Sequence, residues 1–245
     1  MAHSPLEQFR ITPVYDINLG GYDLSITNST LFLFGVTLTI MLFFIAGLRR
    51  SSVIPSRFQV LVESSYTFIA GMVDENIGKE GIKYVPFVFS LFVLILGCNL
   101  AGMLPYSFTV TSHIATTFAL AIFCFIIVNI IGFARHGFHY LHLFIPEGVP
   151  KIFLPIITPI EIISYMIRPI SLGIRLSVAM TAGHIVMKIF AGFIIGLGAI
   201  FWGLGIFPMT FAIMLVGLEL LVAGIQAFIF SILVCIYLND AINMH

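Results

Sequence analysis

Inside the apolar stretch "PIEIISYMIRPISLGIRLSVAMTAGHIVMKIF", residues 159–190, stand an acid, two arginines, a histidine and a lysine. Glu161, Arg168 and Arg175 recur every seven residues, and seven helical steps return a side chain to within about 20° of its starting direction. In a helix unbroken across Pro169 the three form one stripe. His184 lies nine residues beyond Arg175, a rotation of roughly 900°, so it faces the other side about 13 Å further along. Lys188, one turn on, shares that side. A second stripe, on the last apolar segment, carries Glu219, Gln226 and Tyr237 at spacings of seven and eleven. The chemistry these residue types offer is proton transfer past a fixed cation. Carboxylates and imidazoles take up and release protons, whereas a guanidinium keeps its own. An ionisable group at the bilayer centre costs about 2.5–3.5 kcal/mol on insertion scales, so each needs a partner or a function to offset it.

The elements that position these residues follow from composition and hydropathy. With 60% hydrophobic and 9% charged residues over a length of 245, the polar surface is too small for a soluble globule. The chain reads as an all-α integral membrane protein, a single membrane domain over 1–245. Eleven basic and eleven acidic residues give zero net charge, which argues against nucleic acid and polybasic lipid contacts. Spans are predicted at 31–48, 85–104 and 114–134. Residues 54–76 set Phe58, Leu61, Val62, Phe68, Ile69 and Met72 at helical spacing beside Arg57, Glu63 and Asp74, the pattern of an amphipathic surface helix. Residues 151–200 as one helix would run about 75 Å against a hydrocarbon core of ~30 Å. They and 208–238 are therefore predicted as two long, strongly tilted helices paired as a hairpin, for about five membrane-crossing helices in all.

Orientation comes from the loops. Arg49, Arg50, Arg57, Lys79 and Lys83 lie between the first and second spans, against Arg10 alone in the segment 1–30. This places the N-terminus outside and the C-terminus inside, with Arg135 and Lys151 inside too. Arg49 and Arg50 follow the first apolar run instead of preceding it, the wrong order for a cleaved signal peptide. Running the last two helices antiparallel then puts Glu161 in the inner half, Arg175 deeper, and His184 level with Glu219 in the outer half.

Plainer roles compete with proton transfer at each position. Arg168 could snorkel or pair with Glu161, and Lys188 could reach for headgroups. His184 could be a satisfied core histidine, and Arg175 could form a buried ion pair with Glu219. His136, His139 and His142, at intervals of three near Glu147, invite a metal reading. On a connecting loop they read instead as solvated imidazoles, and no metal or other cofactor is expected. Cys98, Cys124 and Cys235 lie in separate apolar segments and read as small core hydrophobes. Asn28-Ser29-Thr30 matches the glycosylation pattern by chance.

The segments "PISLGIRLSVAMTAGH", "LELLVAGIQAFIFSILVCIYL" and "CNLAGMLPYSFT" resemble the a subunits of F-type ATP synthases, of the alphaproteobacterial and mitochondrial kind. The resemblance runs over essentially the whole chain from "SPLEQF" onward. It implies a stator subunit whose two long tilted helices face a rotating ring of c subunits, with Arg175 matching the essential arginine opposite the ring carboxylates. His184 and Glu219 match the histidine and acid of the outer half-channel, Gln226 the glutamine close to the arginine, and Glu161 and Ser164 the inner half-channel. Arg168 and Tyr237 stand beside them as auxiliary positions. Ala179 departs from the family's frequent asparagine and removes a polar relay there. The implied partners are the c-ring, the peripheral-stalk subunit b, other Fo subunits and lipid, and the implied ion is H+. The chain itself would hold no ATP site; it would serve the complex as its proton channel. The implied membrane is the mitochondrial inner membrane or the inner membrane of an alphaproteobacterium. An arginine that never gives up its proton would stabilise an ionised ring carboxylate and block direct leakage between the half-channels.

Two other classes compete with this reading. A secondary proton or cation transporter predicts internal repeats and a central substrate site, and neither is visible. A purely structural anchor leaves the cost of six ionisable groups in the last two helices unexplained.

Overall fold

The computed structural model describes residues 11–15, 18–19, 22–23, 25–48, 56–104, 107–144, 154–200 and 202–243. Arg10, Arg49, Arg50, Glu147 and Lys151, on which parts of the orientation and histidine-loop readings rest, lie outside the described residues, as does the side chain of His142. Among the described residues the chain forms α1 (Asn28–Leu48), α2 (Arg57–Ile77), α3 (Val85–Gly102), α4 (Ile114–His136), α5 (Leu154–Ile200) and α6 (Ile206–Ile242). Five of these helical stretches, all but α2, are long and apolar enough to cross a membrane. The protein is an all-α, multi-pass membrane protein. Short antiparallel ladders precede α1: β1 (Pro13–Tyr15) pairs with β4 (Ile26–Thr27), and β2 (Asn18–Leu19) with β3 (Tyr22–Asp23). They lie in the polar leader, where period and composition carry no strand signal.

Helix α2 starts where the Ser56 hydroxyl accepts a hydrogen bond from the Gln59 backbone N–H at 3.3 Å, satisfying one of the donors a helix start leaves open. Its apolar set divides in two. Val62, Ile69 and Met72 are buried, while Phe58, Leu61 and Phe68 are exposed, because the apolar arc of this helix is wider than the stripe that protein covers. At 47 and 37 residues, α5 and α6 measure about 70 and 55 Å. Such helices fit a ~30 Å core only by tilting, curving or running beyond it. Pro159 and Pro169 lie inside α5; each removes one backbone bond, and the helix continues through both.

The contacts divide the chain into two compact units. The first comprises Met1–Ala46, Val93–Ile114 and Leu176–Ala227. Within it Phe190 of α5 stacks on Phe211 of α6, ring centroids 6.1 Å apart, and Asn99 of α3 donates from Nδ2 to the Ala223 carbonyl of α6 at 3.1 Å. The connection from α3 to α4 is tied down by its own backbone: the Ser112 carbonyl accepts from the hydroxyls of Ser177 and Thr181 on α5, at 2.7 and 3.0 Å.

The second unit comprises Gly47–Phe92, Ala115–Arg175 and Phe228–His245. Here α4 and α5 approach closely at Gly173, where a Cβ would lie 3.0 Å from the Phe118 Cα and 3.2 Å from the Thr117 carbonyl. Any side chain at that point would push backbone against backbone. Tyr165, Leu172, Phe230, Val234 and Leu238 are buried in this unit. At its edge Arg135 pairs with Glu80, and the His136 Nε2 lies 3.1 Å from the Ile242 carbonyl near the end of α6.

Candidate functional site

In the first unit the site is built on α5 and α6, which run antiparallel there: residue 184 meets 219 and residue 190 meets 211. His184 and Glu219 have side chains 5% and 3% exposed, with Nδ1 3.1 Å from Oε1. The other imidazole nitrogen, Nε2, lies 2.9 Å from the Thr109 hydroxyl. Neither Glu219 oxygen has a hydrogen-bond partner among the described residues, so the carboxyl lies close to the imidazole without a hydrogen bond to it. Gly183 makes room for it: a Cβ at 183 would come within 2.8 Å of Oε1, 3.1 Å of Cδ and 3.3 Å of Cγ. A carboxyl and an imidazole, buried and 3.1 Å apart, are able to pass a proton between them.

In the second unit the ends of α5 and α6 hold a different cluster. Arg168 donates from Nη1 to the Asp240 Oδ2 at 2.7 Å, and its guanidinium carbon sits 5.3 Å from the ring centroids of both Tyr165 and Tyr237. The pairing of Arg168 with Glu161 weighed from sequence is absent. Seven residues are two turns, roughly 10.5 Å of rise, and side chains meet directly at three or four. The Tyr165 hydroxyl donates to the Asn129 Oδ1 at 2.9 Å and therefore receives from the Tyr140 hydroxyl, also at 2.9 Å. The Asn129 Nδ2 donates to its own helix at the Phe125 carbonyl, 2.8 Å, which fixes the direction of the chain Tyr140 to Tyr165 to Asn129.

Arg175 is exposed, and among the described residues it forms no ion pair. Gln226 and Glu161 are half-buried and Ser164 is exposed; no ion pair joins Glu161 to either arginine among the described residues. Residues 136–142 gather no group of ligands that could hold a metal among the described residues. His139 is exposed. His113, on the connection from α3 to α4, stacks on Phe108 with centroids 4.9 Å apart. Burial holds its pKa below the ordinary 6.5.

Thr109, Gly183, Asn129, Tyr140 and Asp240 were not singled out by sequence reasoning. Asp240 carried a usable signal, since it follows Tyr237 by one helical turn. Thr109 lay inside a quoted segment but on a connection, where no period marks a face.

The family model for the ATP synthase A chain matches residues 30–239. The chain is 50% identical over 248 residues to the ATP synthase subunit a of Pelagibacter ubique strain HTCC1062, covering 100% of both chains. It is 50% identical over 243 residues to that of Rhodospirillum rubrum, covering 99% of this chain and 100% of the relative. With the subunit a of Ehrlichia chaffeensis the identity is 44% over 246 residues, again covering 100% of each. With buried polar groups on two long apolar helices and a match over nearly its full length, this chain belongs to the ATP synthase A-chain family.

Proposed function

We propose that the chain is the proton-translocating a subunit of an F-type ATP synthase, coupling proton flow to rotation of a ring of c subunits. The alphaproteobacterial relatives favour the inner membrane of such a bacterium, with the N-terminus on the periplasmic side. The observation that carries the reading is the buried His184–Glu219 pair, 3.1 Å apart on adjacent helices, in a chain of this family. It supports an outer half-channel in which protons pass between a carboxyl and an imidazole before reaching a ring carboxylate, with Gln226 near the handover. Glu161 and Ser164, with Arg168 and Tyr237 beside them, form the inner path. In the sequence of α5, Arg175 falls between Glu161, Ser164 and Arg168 on one side and His184 on the other. Its exposure and lack of an ion pair among the described residues fit a guanidinium kept for a partner's carboxylate. Such a contact stabilises the ionised form transiently, and because the guanidinium never deprotonates, protons cannot cross without rotation. The other partners are the peripheral-stalk subunit b, further Fo subunits and lipid, and ATP chemistry belongs to other chains of the complex.

The test is ATP-driven acidification of vesicles holding equal amounts of assembled complex. Arg175→Ala and Arg175→Lys both abolish pumping, the second because an ammonium lacks the planar fork and can lose its proton. Normal pumping by Arg175→Lys would refute the assignment.

A further inference from the structure

We propose that the groove between α1 and α3 in the first unit is a lipid site. It holds an acyl chain of a phospholipid from the leaflet that faces the N-terminal end of α1, and keeps it while the surrounding lipid exchanges. The inference needs only a membrane-spanning chain and is independent of the proton path.

Small residues recur one turn apart on both helices: Gly35 and Thr39 on α1, Gly97 and Ala101 on α3. In a membrane such pairs let two backbones close on each other. Only part of this surface is used in that way. Gly97 receives Ile40 of α1, which a Cβ at 97 would overlap, and Val36 Cγ1 would lie 3.5 Å from that Cβ. A second hold is Phe32, whose ring centroid lies 6.2 Å from that of Phe108. At Gly35 the helices stay apart: a Cβ there would meet nothing within 4 Å. The space left is a groove of about 520 Å³, with Leu31, Gly35 and Thr39 of α1 on one side and Ala101, Leu104 and Ser107 on the other.

The dimensions and chemistry of the groove select its occupant. The lining hydroxyls keep their protons within the chain, Thr39 donating to the Gly35 carbonyl at 2.8 Å and Ser107 to the Leu104 carbonyl at 2.7 Å. The polar side chains that hold neighbouring helices together in a membrane are thus spent locally, and apolar contact is what remains to offer. From Leu31 to Ile40 the groove follows α1 for about 14 Å, the depth of one leaflet of a ~30 Å core. Its volume over that length gives a mean cross-section of roughly 40 Å². A helix with its side chains, about 10–12 Å across, needs roughly 80–110 Å². Hydrocarbon carbons pack at about 4 Å, so an extended acyl chain takes roughly 15–20 Å² and enters where a helix does not. Such a chain completes the seat of α1, since only 6% of the apolar window of α1 is buried within the protein, against 39% for the stretch that contains α3.

For the test, the intact complex is reconstituted with phosphatidylcholine carrying a photoactivatable group midway along one acyl chain, washed in lipid-free detergent and irradiated. In the native complex the retained label falls on residues 31–40 and 97–107, and is washed from the exposed face of α4 at Phe123, Ile126 and Ile130. Gly35→Leu, whose side chain enters open space, and Ala101→Leu each lower the retained label at the groove roughly tenfold, a factor that displacing about two methylenes supplies. Loss of label from both faces alike in the native complex overturns the proposal whatever the variants do, and so does retained label that neither leucine lowers. A neighbouring subunit seated in the groove leaves residues 31–40 unlabelled even before the wash, and that result overturns it too.

Discussion

Replacing Gly183 with alanine separates the function of the His184–Glu219 pair from the stability of the helix that bears it. The new Cβ would come within 2.8 Å of Glu219 Oε1, 3.1 Å of Cδ and 3.3 Å of Cγ. Against an ordinary contact of about 3.4 Å, the carboxyl must move by roughly 0.6 Å at its oxygen. The Nδ1 to Oε1 distance is 3.1 Å, so a shift of that size away from the imidazole takes the pair beyond the distance at which a proton passes directly between two such groups, about 3.2 Å. A misplacement of 1 Å costs on the order of a hundredfold in a reaction that depends on alignment, and this smaller one is expected to slow proton flux about tenfold. The fold gains if anything, since alanine inside a helix is favoured over glycine by roughly 0.5–1 kcal/mol, and the neighbour that yields is the far end of a flexible side chain. The assay is ATP-driven acidification of vesicles at matched amounts of complex, beside Glu219→Gln as the measure of losing the carboxyl altogether. Gly183→Ala pumping at the native rate while Glu219→Gln is inactive would refute the claim that this spacing matters. Failure of Gly183→Ala to assemble would refute the claim that the strain falls on a flexible side chain.

Two further outcomes follow from the geometry. Asp240→Ala leaves Arg168 with its two tyrosine faces but without its 2.7 Å partner. The side chains are 27% and 32% exposed, between the surface and buried cases, so the loss is about 1–2 kcal/mol. It is read as a lower midpoint for thermal inactivation, and Arg168→Ala adds little on top of it in a double-mutant cycle; fully additive losses would show the pair is not coupled. For His113, burial favours the neutral ring and its pKa lies below 6.5, so the unfolded chain binds the proton first as pH falls. The stability it contributes is complete above pH 6.5 and is lost as pH drops from there through the folded pKa. Thermal midpoints across that range fall less steeply for His113→Gln than for the native protein, and parallel profiles would contradict this.

Much of the architecture is legible in the sequence because it is local. Runs of apolar residues long enough for the hydrocarbon core announce their helices without reference to the rest of the chain. A rise of 1.5 Å per residue is enough to match His184 in depth with Glu219 once the last two helices are taken as antiparallel. The Arg168–Glu161 pairing fails for an equally local reason, two full turns being too far for direct contact. The small ladders ahead of α1 are invisible because strands of two or three residues have no room for a period.

The sequence by itself determined that this is a membrane protein of about five crossings, which residues of its apolar helices carry titratable protons, and that Arg175 holds a permanent charge among them. Those are properties of composition, run length and helical phase, each set within a few turns. Only the tertiary structure decided which partners those groups meet. It brings Thr109 to His184 across 75 residues of chain and Asp240 to Arg168 across 72, and makes Gly183 the gap into which Glu219 fits. Partner choice of this kind depends on which helices pack side by side and in what rotation. The packing energies that settle it are summed over many contacts distant in sequence, and no short window of residues contains them.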